Sequence, residues 1–281
     1  MMTKVLYQSH TPGRAARVGE GTWHKRPDFI YYTLWTRGSG RRRWLAGGGG
    51  FVMLLTLALA SSPASAQGDH GFRFVRIQFE DGQSSGWRRG GAAWSHDHPT
   101  GELNLYEALK RTTNIHVEGP PLVLTLKDER IFEYPVLYLC EPGFWTVGDE
   151  EAQNLSEYLR RGGFILFDDF RGDREWAQFY EQMKRVLPDT EPVPLPPEHP
   201  VWSIYYDVDP VAAPSNVSGG WFTHEDDQYL AYFGEDGRMV ALACYNQDIG
   251  DGWEWPERNL ADASTISFQM GVNFLIYAFT H

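Results

Sequence analysis

The segment from residue 135 to residue 169 limits the possible folds of this chain more than any other. It opens with an apolar run, Val136–Cys140, which is followed by an acidic helix start near Asp149. The pair Gly162–Gly163 ends that helix, and a second apolar run, Phe164–Phe167, follows at once. Continuous apolar runs are typical of strands buried on both faces of a parallel sheet, and short links favour a right-handed strand–helix–strand unit. The segment therefore predicts an α/β domain with a mostly parallel sheet and helices on both faces.

The remaining pattern predicts further elements on either side of this unit. Thr146 is the expected N-cap of the central helix, because Asp149 follows three residues later. The predicted strands are 72–79 and 121–126, the predicted helices are 103–113, 173–187 and 266–279, and a hairpin joins 230–233 to 239–244. Residues 188–220 are rich in proline and predict a long surface segment.

Charge divides the chain into a basic leader and an acidic body. Residues 1–66 hold 9 Lys and Arg against 2 Asp and Glu, whereas residues 67–281 hold 16 against 35. An acidic body repels phosphate backbones, so no nucleic-acid partner is expected. Residues 1–40 lack apolar periodicity and predict an unstructured extension, and the true start is expected downstream of Met1.

Residues 41–66 have the three-part layout of a signal peptide. Three arginines, 41–43, precede an uncharged stretch from 44 to 60, and Ala64 and Ala66 provide the small side chains of a cleavage site before Gln67. The chain is therefore expected to be exported to the periplasm or beyond, with residues 67–281 as its mature domain. The paired arginines also fit a twin-arginine signal, and an uncleaved N-terminal membrane anchor is the alternative.

Several stretches of the body together resemble a known family. They are Tyr134–Tyr138, Leu155–Asp169, Gly237–Ala241, Asp248–Glu254 and Gly271–Ala278. In this order they resemble the bacterial family of unknown function DUF4159, from about Phe72 to Thr280. The resemblance implies a flavodoxin-like fold similar to that of class I glutamine amidotransferases. It implies no established activity, and because relatives are often encoded beside MoxR-type ATPases and von Willebrand factor A proteins, it favours a protein partner in the cell envelope.

The nucleophile of an amidotransferase is not evident in this sequence. Such an enzyme needs a cysteine on a glycine-flanked turn between a strand and a helix. Cys140 lies in Leu-Cys-Glu-Pro and Cys244 in Ala-Cys-Tyr, and neither has these glycines. Both cysteines end apolar runs and are expected to be buried free thiols, although export would permit a disulfide.

Asp168 and Asp169 are the strongest site candidates because they follow a predicted buried strand. Ligands of open parallel sheets bind beyond the carboxyl ends of the strands. Both aspartates, together with nearby Arg171, are therefore expected to contact a ligand. The alternative is structural, with Asp169 capping the next helix and Asp168 accepting hydrogen bonds from loop amides.

Two loops supply weaker candidates. Asp248 and Glu254 are candidate catalytic carboxylates, and Trp253 and Trp255 could stack on a sugar if their rings are exposed. The alternative is that these rings cover the ends of the sheet. His96 and His98 are weak metal candidates, the glycines after Asp248 do not match a calcium loop, and no cofactor is predicted.

These observations leave two functions open. The first is a non-catalytic binding or assembly module of the envelope, with a basic or neutral partner. The second is a hydrolase of carbohydrate or peptide envelope material that uses Asp168, Asp169, Asp248 and Glu254. The hydrolase requires these carboxylates to converge in one deep pocket with at least one raised pKa. The module predicts a broad apolar or aromatic patch and carboxylates already bonded to backbone amides.

Overall fold

A computed structural model describes residues 71–80, 91–209, 228–259 and 261–281. The expected extension (1–40) and signal peptide (41–66) lie outside these residues and stay predictions. Within the described ranges, no helix is both long and apolar enough to cross a membrane.

Seven strands form one sheet in the described part of the chain. They are β1 (Val75–Ile77), β2 (Leu122–Leu124), β3 (Val136–Cys140), β4 (Phe164–Phe170), β5 (Val193–Pro194), β6 (Gln228–Phe233) and β7 (Met239–Tyr245). Their order is β2-β1-β3-β4-β7-β6-β5. The first five in this order are parallel, and β6 and β5 extend the sheet as antiparallel strands. The parallel part has the strand order of flavodoxin-like folds, which confirms the expected fold class and the hairpin of β6 and β7.

Helices cover both faces of this sheet. They are α1 (Thr100–Thr112), α2 (Asp149–Arg160), α3 (Gly172–Val186), α4 (Ile249–Glu254) and α5 (Ala261–Thr280). Leucines of α1 and the apolar side chains of α5 share one core with one face of the strands. The apolar stripes of α2 and α3 form a second core on the opposite face. Alternate side chains of a strand therefore pack into two separate cores, which explains why β3 and β4 are apolar at nearly every position.

The expected cap of α2 is wrong. The N-cap is Gly148, whose N–H donates to Glu151 Oε2 at 2.8 Å, so the cap lies two residues beyond Thr146. The end of α2 is as expected. Gly163 passes so close to the ring of Tyr158 that a β-carbon there would lie 2.3 Å from it, which only glycine permits.

Both cysteines are buried free thiols, as expected. Cys140 lies at the end of β3 and pairs with Asp168 of β4 across the sheet. Cys244 lies on β7 near its end.

We expect Phe167 to contribute more to the free energy of unfolding than an exposed apolar residue does. Its ring is fully buried, with centroids 4.9 Å from Phe179 and 5.7 Å from Trp145. Phe167→Ala should lower the free energy of unfolding by about 3–5 kcal/mol because it leaves a cavity. Urea unfolding measures this change. The control is Leu103→Ala, since Leu103 is 47% exposed and should shift stability by about 0.5 kcal/mol or less; equal losses would contradict the described core.

Candidate functional site

The acidic side chains meet where four parallel strands end. Asp97 lies on the connection that leaves β1, Glu141 follows β3, Asp169 lies near the end of β4, and Asp248 follows β7. In the strand order β2-β1-β3-β4-β7, the order in which the chain adds parallel strands changes sides between β1 and β3, because β2 lies on one side of β1 and the later strands lie on the other. A sheet of this type binds ligands in the crevice at that point. The cluster thus occupies the position that the fold itself favours for a ligand.

Backbone strain concentrates at the same place. Among the described residues, four that are not glycine have positive φ angles: Asp97 (62°), Glu141 (55°), Asp169 (59°) and Asn246 (60°). Glu141 and Asn246 directly follow β3 and β7, Asp169 lies near the end of β4, and Asp97 lies on the connection that leaves β1. The left-handed conformation costs energy in such residues and clusters at functional sites. The strain supports a functional role for this end of the sheet.

A register shift between β4 and β7 places the two consecutive aspartates. The pairing is irregular between Phe167 and Phe170, which is where Asp168 and Asp169 lie. Neighbouring residues on a regular strand point to opposite faces, and an irregularity of this kind redirects side chains. As a result both carboxylates have partners at the strand end.

Asp168 is held by the loop after β7. Its Oδ1 accepts the N–H of Ile249 at 3.1 Å, and its Oδ2 accepts the N–H of Gly250 at 2.8 Å and the hydroxyl of Tyr138 at 2.9 Å. Gly250 is required here, because a β-carbon would lie 2.7 Å from Asp97 and 2.8 Å from the Tyr138 hydroxyl oxygen. The structural alternative therefore holds for Asp168, which accepts loop amides.

Asp169 does not cap the next helix. Its Oδ2 lies 2.7 Å from Nδ1 of His96, and its Oδ1 lies 2.7 Å from Arg171. Arg171 is itself the N-cap residue of α3, and it also contacts Asp248 at 2.7 Å. The Arg171 side chain thus joins the carboxylates that follow β4 and β7.

Asp97 is buried without a hydrogen bond. The residue is 4% exposed, and neither carboxylate oxygen receives a hydrogen bond from the described part of the chain. The Nδ1 atom of His96 lies 3.7 Å from Oδ1 of Asp97. Burial, together with the charges of Asp248 and Asp169, raises the pKa of Asp97 well above its usual value. An ionised carboxylate that is buried without a hydrogen bond destabilises the fold.

The other carboxyl groups also have shifted pKa values. Burial and the charge of Asp169 raise the pKa of Asp168 to about 6 and that of Glu141 well above its usual value. Burial likewise raises the pKa of Asp248. Burial opposes ionisation of Asp169 too, but the charges of Arg171 and His96 and the hydrogen bond from His96 hold its pKa below the usual range. The cluster thus holds an ionised carboxylate beside carboxyl groups that bind protons more tightly.

Two sets of side chains in the described ranges could each hold a metal ion. In the first, one ligand atom from each of His96, Asp97, Cys140 and Asp169 lies within 4.8 Å of the others. The second consists of Asp97, Asp251 and Glu254 under the same limit. Asp97 belongs to both sets.

The structure brings together most of the predicted carboxylates. Asp168, Asp169 and Asp248 are buried in one cluster, and Arg171 contacts two of them. Glu254 lies close to Asp97 at the edge of that cluster.

The candidates Trp253, Trp255 and His98 make contacts other than those expected from the sequence. Trp253 is 2% exposed, and its Nε1–H donates to the carbonyl of Ser267, so it does not present the expected stacking face. The guanidinium of Arg258 covers the Trp255 ring at 3.9 Å. His98 Nδ1 lies 3.2 Å from Glu102. The Trp253 ring is part of the core, as the alternative expected.

Two residues of the cluster, Asp97 and Glu141, were not predicted from the sequence as site residues. Asp97 stands between two histidines before a proline, and Glu141 follows an apolar run directly. Glu141 adopts the left-handed conformation and leads into a short 3-10 helix, Pro142–Phe144. It therefore occupies the strand-to-helix turn at which a nucleophilic cysteine was sought, one residue beyond Cys140. Its position after a predicted buried strand is the signal that could have revealed it.

Comparison with known proteins identifies the chain at the level of a family. The family model described as "Domain of unknown function (DUF4159)" matches residues 73–279. That match covers nearly three quarters of the chain and includes every strand and every carboxylate of the cluster. No curated protein matches the chain.

We expect Asp97→Asn to stabilise the protein in the presence of a chelator. The substitution removes a buried negative charge near Asp169 and Asp248 and keeps the size of the side chain, and asparagine tolerates a positive φ. The free energy of unfolding at pH 7 should rise by about 1–3 kcal/mol. Urea unfolding measures the change, with Asp236→Asn as the control, because Asp236 is exposed in the turn before β7 at the opposite end of the sheet.

The gain should depend on pH in one direction. Because the folded chain raises the pKa of Asp97, protonated Asp97 adds stability that is fully present below about pH 4 and is lost as the pH rises through the folded value. The difference between Asp97→Asn and the parent chain should therefore disappear near pH 4 and grow as the pH rises towards the folded pKa of Asp97. A variant that is less stable than the parent at pH 7 would show that Asp97 has a partner.

Proposed function

This chain belongs to the DUF4159 family, and we propose that its domain is a hydrolase of carbohydrate or peptide material in the cell envelope. The observation that carries the proposal is a cluster of side chains at the carboxyl ends of the parallel strands in a flavodoxin-like sheet. The cluster includes His96, Asp97, Glu141, Asp169 and Asp248. From the sequence, a hydrolase required Asp168, Asp169, Asp248 and Glu254 to converge in one deep pocket; the three aspartates lie in this cluster, and Glu254 lies close to Asp97.

The chemistry of hydrolysis fits these side chains. A hydrolase must take a proton from water and return one to the leaving group. His96 Nδ1 lies 2.7 Å from Asp169 and 3.6 Å from Glu141, so imidazole and carboxyl groups stand close enough to exchange protons. His96 and Arg171 are each about one-fifth exposed, whereas the carboxylates beneath them are buried. A substrate would therefore approach over His96 and Arg171.

The energetic cost of the cluster also supports a functional role. Left-handed residues and a buried carboxylate without a hydrogen bond both destabilise a fold. Asp97 combines the two features. Evolution commonly retains such a cost where activity needs it.

The location in the envelope rests on the leader. The basic start, apolar middle and small residues at 64 and 66 are those of a signal peptide. We therefore propose that the domain acts in the periplasm or outside the cell.

A binding or assembly module is the second candidate, and one observation favours it. Both oxygens of Asp168 accept hydrogen bonds from the protein, namely from the amides of Ile249 and Gly250 and from the hydroxyl of Tyr138, as those of a structural carboxylate do. Such a module would recognise a basic or neutral envelope protein through the same acidic strand end.

Turnover by the purified full chain separates these functions. The substrates are peptidoglycan fragments, chromogenic glycosides and short peptides. Asp169→Asn should lower kcat/KM at least about 100-fold, since it removes a group that contacts both His96 and Arg171. Asp236→Asn makes the same chemical change at the other end of the sheet and should leave activity within twofold.

Two results would contradict the hydrolase. One is an absence of turnover across all three substrate classes by folded protein. The other is turnover that Asp169→Asn leaves unchanged. A specific envelope protein retained by the folded but inactive chain, and released by Asp169→Asn, would favour the module.

A further inference from the structure

We propose that the strand-end cluster binds one divalent transition-metal ion of the zinc type through His96, Asp97, Cys140 and Asp169. This inference goes beyond the proposed hydrolase and stands without it, because it rests on the side chains of the cluster and not on turnover. It assigns a role to Cys140, to which the proposed hydrolysis gives none, and a specific one to Asp97.

The distances suit a four-coordinate ion. One ligand atom of each residue lies within 4.8 Å of the other three. Within this set, His96 Nδ1 lies 2.7 Å from Asp169 Oδ2 and 3.7 Å from Asp97 Oδ1. Bonds typical of zinc hold tetrahedral ligand atoms about 3.3–3.8 Å apart. Small side-chain movements would therefore bring all four atoms to bonding distance.

Asp97 gives the second and independent observation. Its carboxylate is buried, and neither oxygen accepts a hydrogen bond from the described residues. Buried charges in proteins are normally paired or coordinate metals. No arginine or lysine contacts Asp97 within the described ranges, so a cation between it and Asp169 would supply the missing partner.

The local charge balance points the same way. Five carboxylates are buried at this end of the sheet: Asp97, Glu141, Asp168, Asp169 and Asp248. Arg171 contacts two of them, while the other buried arginine nearby, Arg76, is paired with Glu102. A divalent cation would offset the excess. Arg171 would remain on Oδ1 of Asp169 and orient the carboxylate whose Oδ2 binds the ion, as partners behind metal ligands do.

The donor types select the class of metal. An imidazole nitrogen, a thiol sulfur and carboxylate oxygens together suit zinc and related transition metals. Calcium and magnesium prefer oxygen alone, which is what Asp97, Asp251 and Glu254 would offer. Asp251 and Glu254 are only half-buried, so the set with Cys140 encloses an ion more completely. The part-exposed ring of His96 leaves a path from solvent.

Metal binding by the chelator-treated full chain is the direct test. Calorimetric titration with Zn²⁺ should give one ion per chain. Titration with Co²⁺ should give the visible bands of a tetrahedral ion and a thiolate-to-cobalt charge-transfer band in the near ultraviolet. No substrate is involved, so the result does not depend on the proposed hydrolase.

Four variants assign the ligands. Asp97→Asn should weaken Zn²⁺ binding at least tenfold. Urea unfolding of the same variant without metal, which we expect to show at least the parent's stability, separates lost binding from lost folding. Cys140→Ser should remove the charge-transfer band. Cys244→Ser changes a second buried cysteine, on β7, which β4 separates from β3, and it should keep the band. Asp236→Asn should bind as the parent does.

Three outcomes would overturn the proposal. They are a full chain that binds neither ion, binding that Asp97→Asn leaves unchanged, and a Co²⁺ complex without a thiolate band. The second outcome would place the ion elsewhere, and the third would remove Cys140 from the ligands. Loss of both ion binding and the band in the assigned variants, with both controls unchanged, would establish the site.

Discussion

The burial of excess negative charge is the constraint on which this structure depends. Carboxylates that follow four parallel strands meet at one end of an apolar sheet. Loop amides stabilise Asp168, and Arg171 stabilises Asp169 and Asp248. Asp97 has neither kind of donor among the described residues. An unpaired buried charge costs several kcal/mol, so the rest of the fold must be stable enough to hold it.

The sheet provides that stability and also sets the geometry. The strands β3 and β4 are buried on both faces, between two cores covered by α1 and α5 on one side and by α2 and α3 on the other. Such a frame can keep Asp97, Glu141 and Asp169 in left-handed conformations. A bound zinc-type ion would then offset the buried charge. The proposed metal site and the proposed hydrolase are tested separately.

The sequence predicted the fold well because its signals are local and strong. Apolar runs, the glycines after α2 and the acidic start of that helix define the central unit. The cap of α2 was wrong because a single glutamate, Glu151, outcompetes Thr146 by reaching back to the N–H of Gly148. Local spacing could not decide between these two caps.

The site was predicted only in part, since its geometry depends on contacts between distant residues. Asp168, Asp169 and Asp248 could be placed at strand ends from the sequence. The burial of Trp253 could not, because it depends on α4 packing against α5. Asp97 and His96 join the cluster through a loop without periodic pattern, and Glu141 acquires its importance from a turn conformation. The sequence predicted His96 only as a weak metal candidate, and its spacing does not show that these three residues meet.

Anomalous diffraction from crystals of the full chain grown with Zn²⁺ tests the central claim most directly. The account predicts a single zinc peak between His96, Asp97, Asp169 and Cys140, within about 2.0–2.3 Å of the four ligand atoms. A strand end without a zinc peak, with both oxygens of Asp97 hydrogen-bonded to protein or ordered water, would contradict it. In that case the buried carboxylates would be fully satisfied, and the cluster would be a structural feature of the fold.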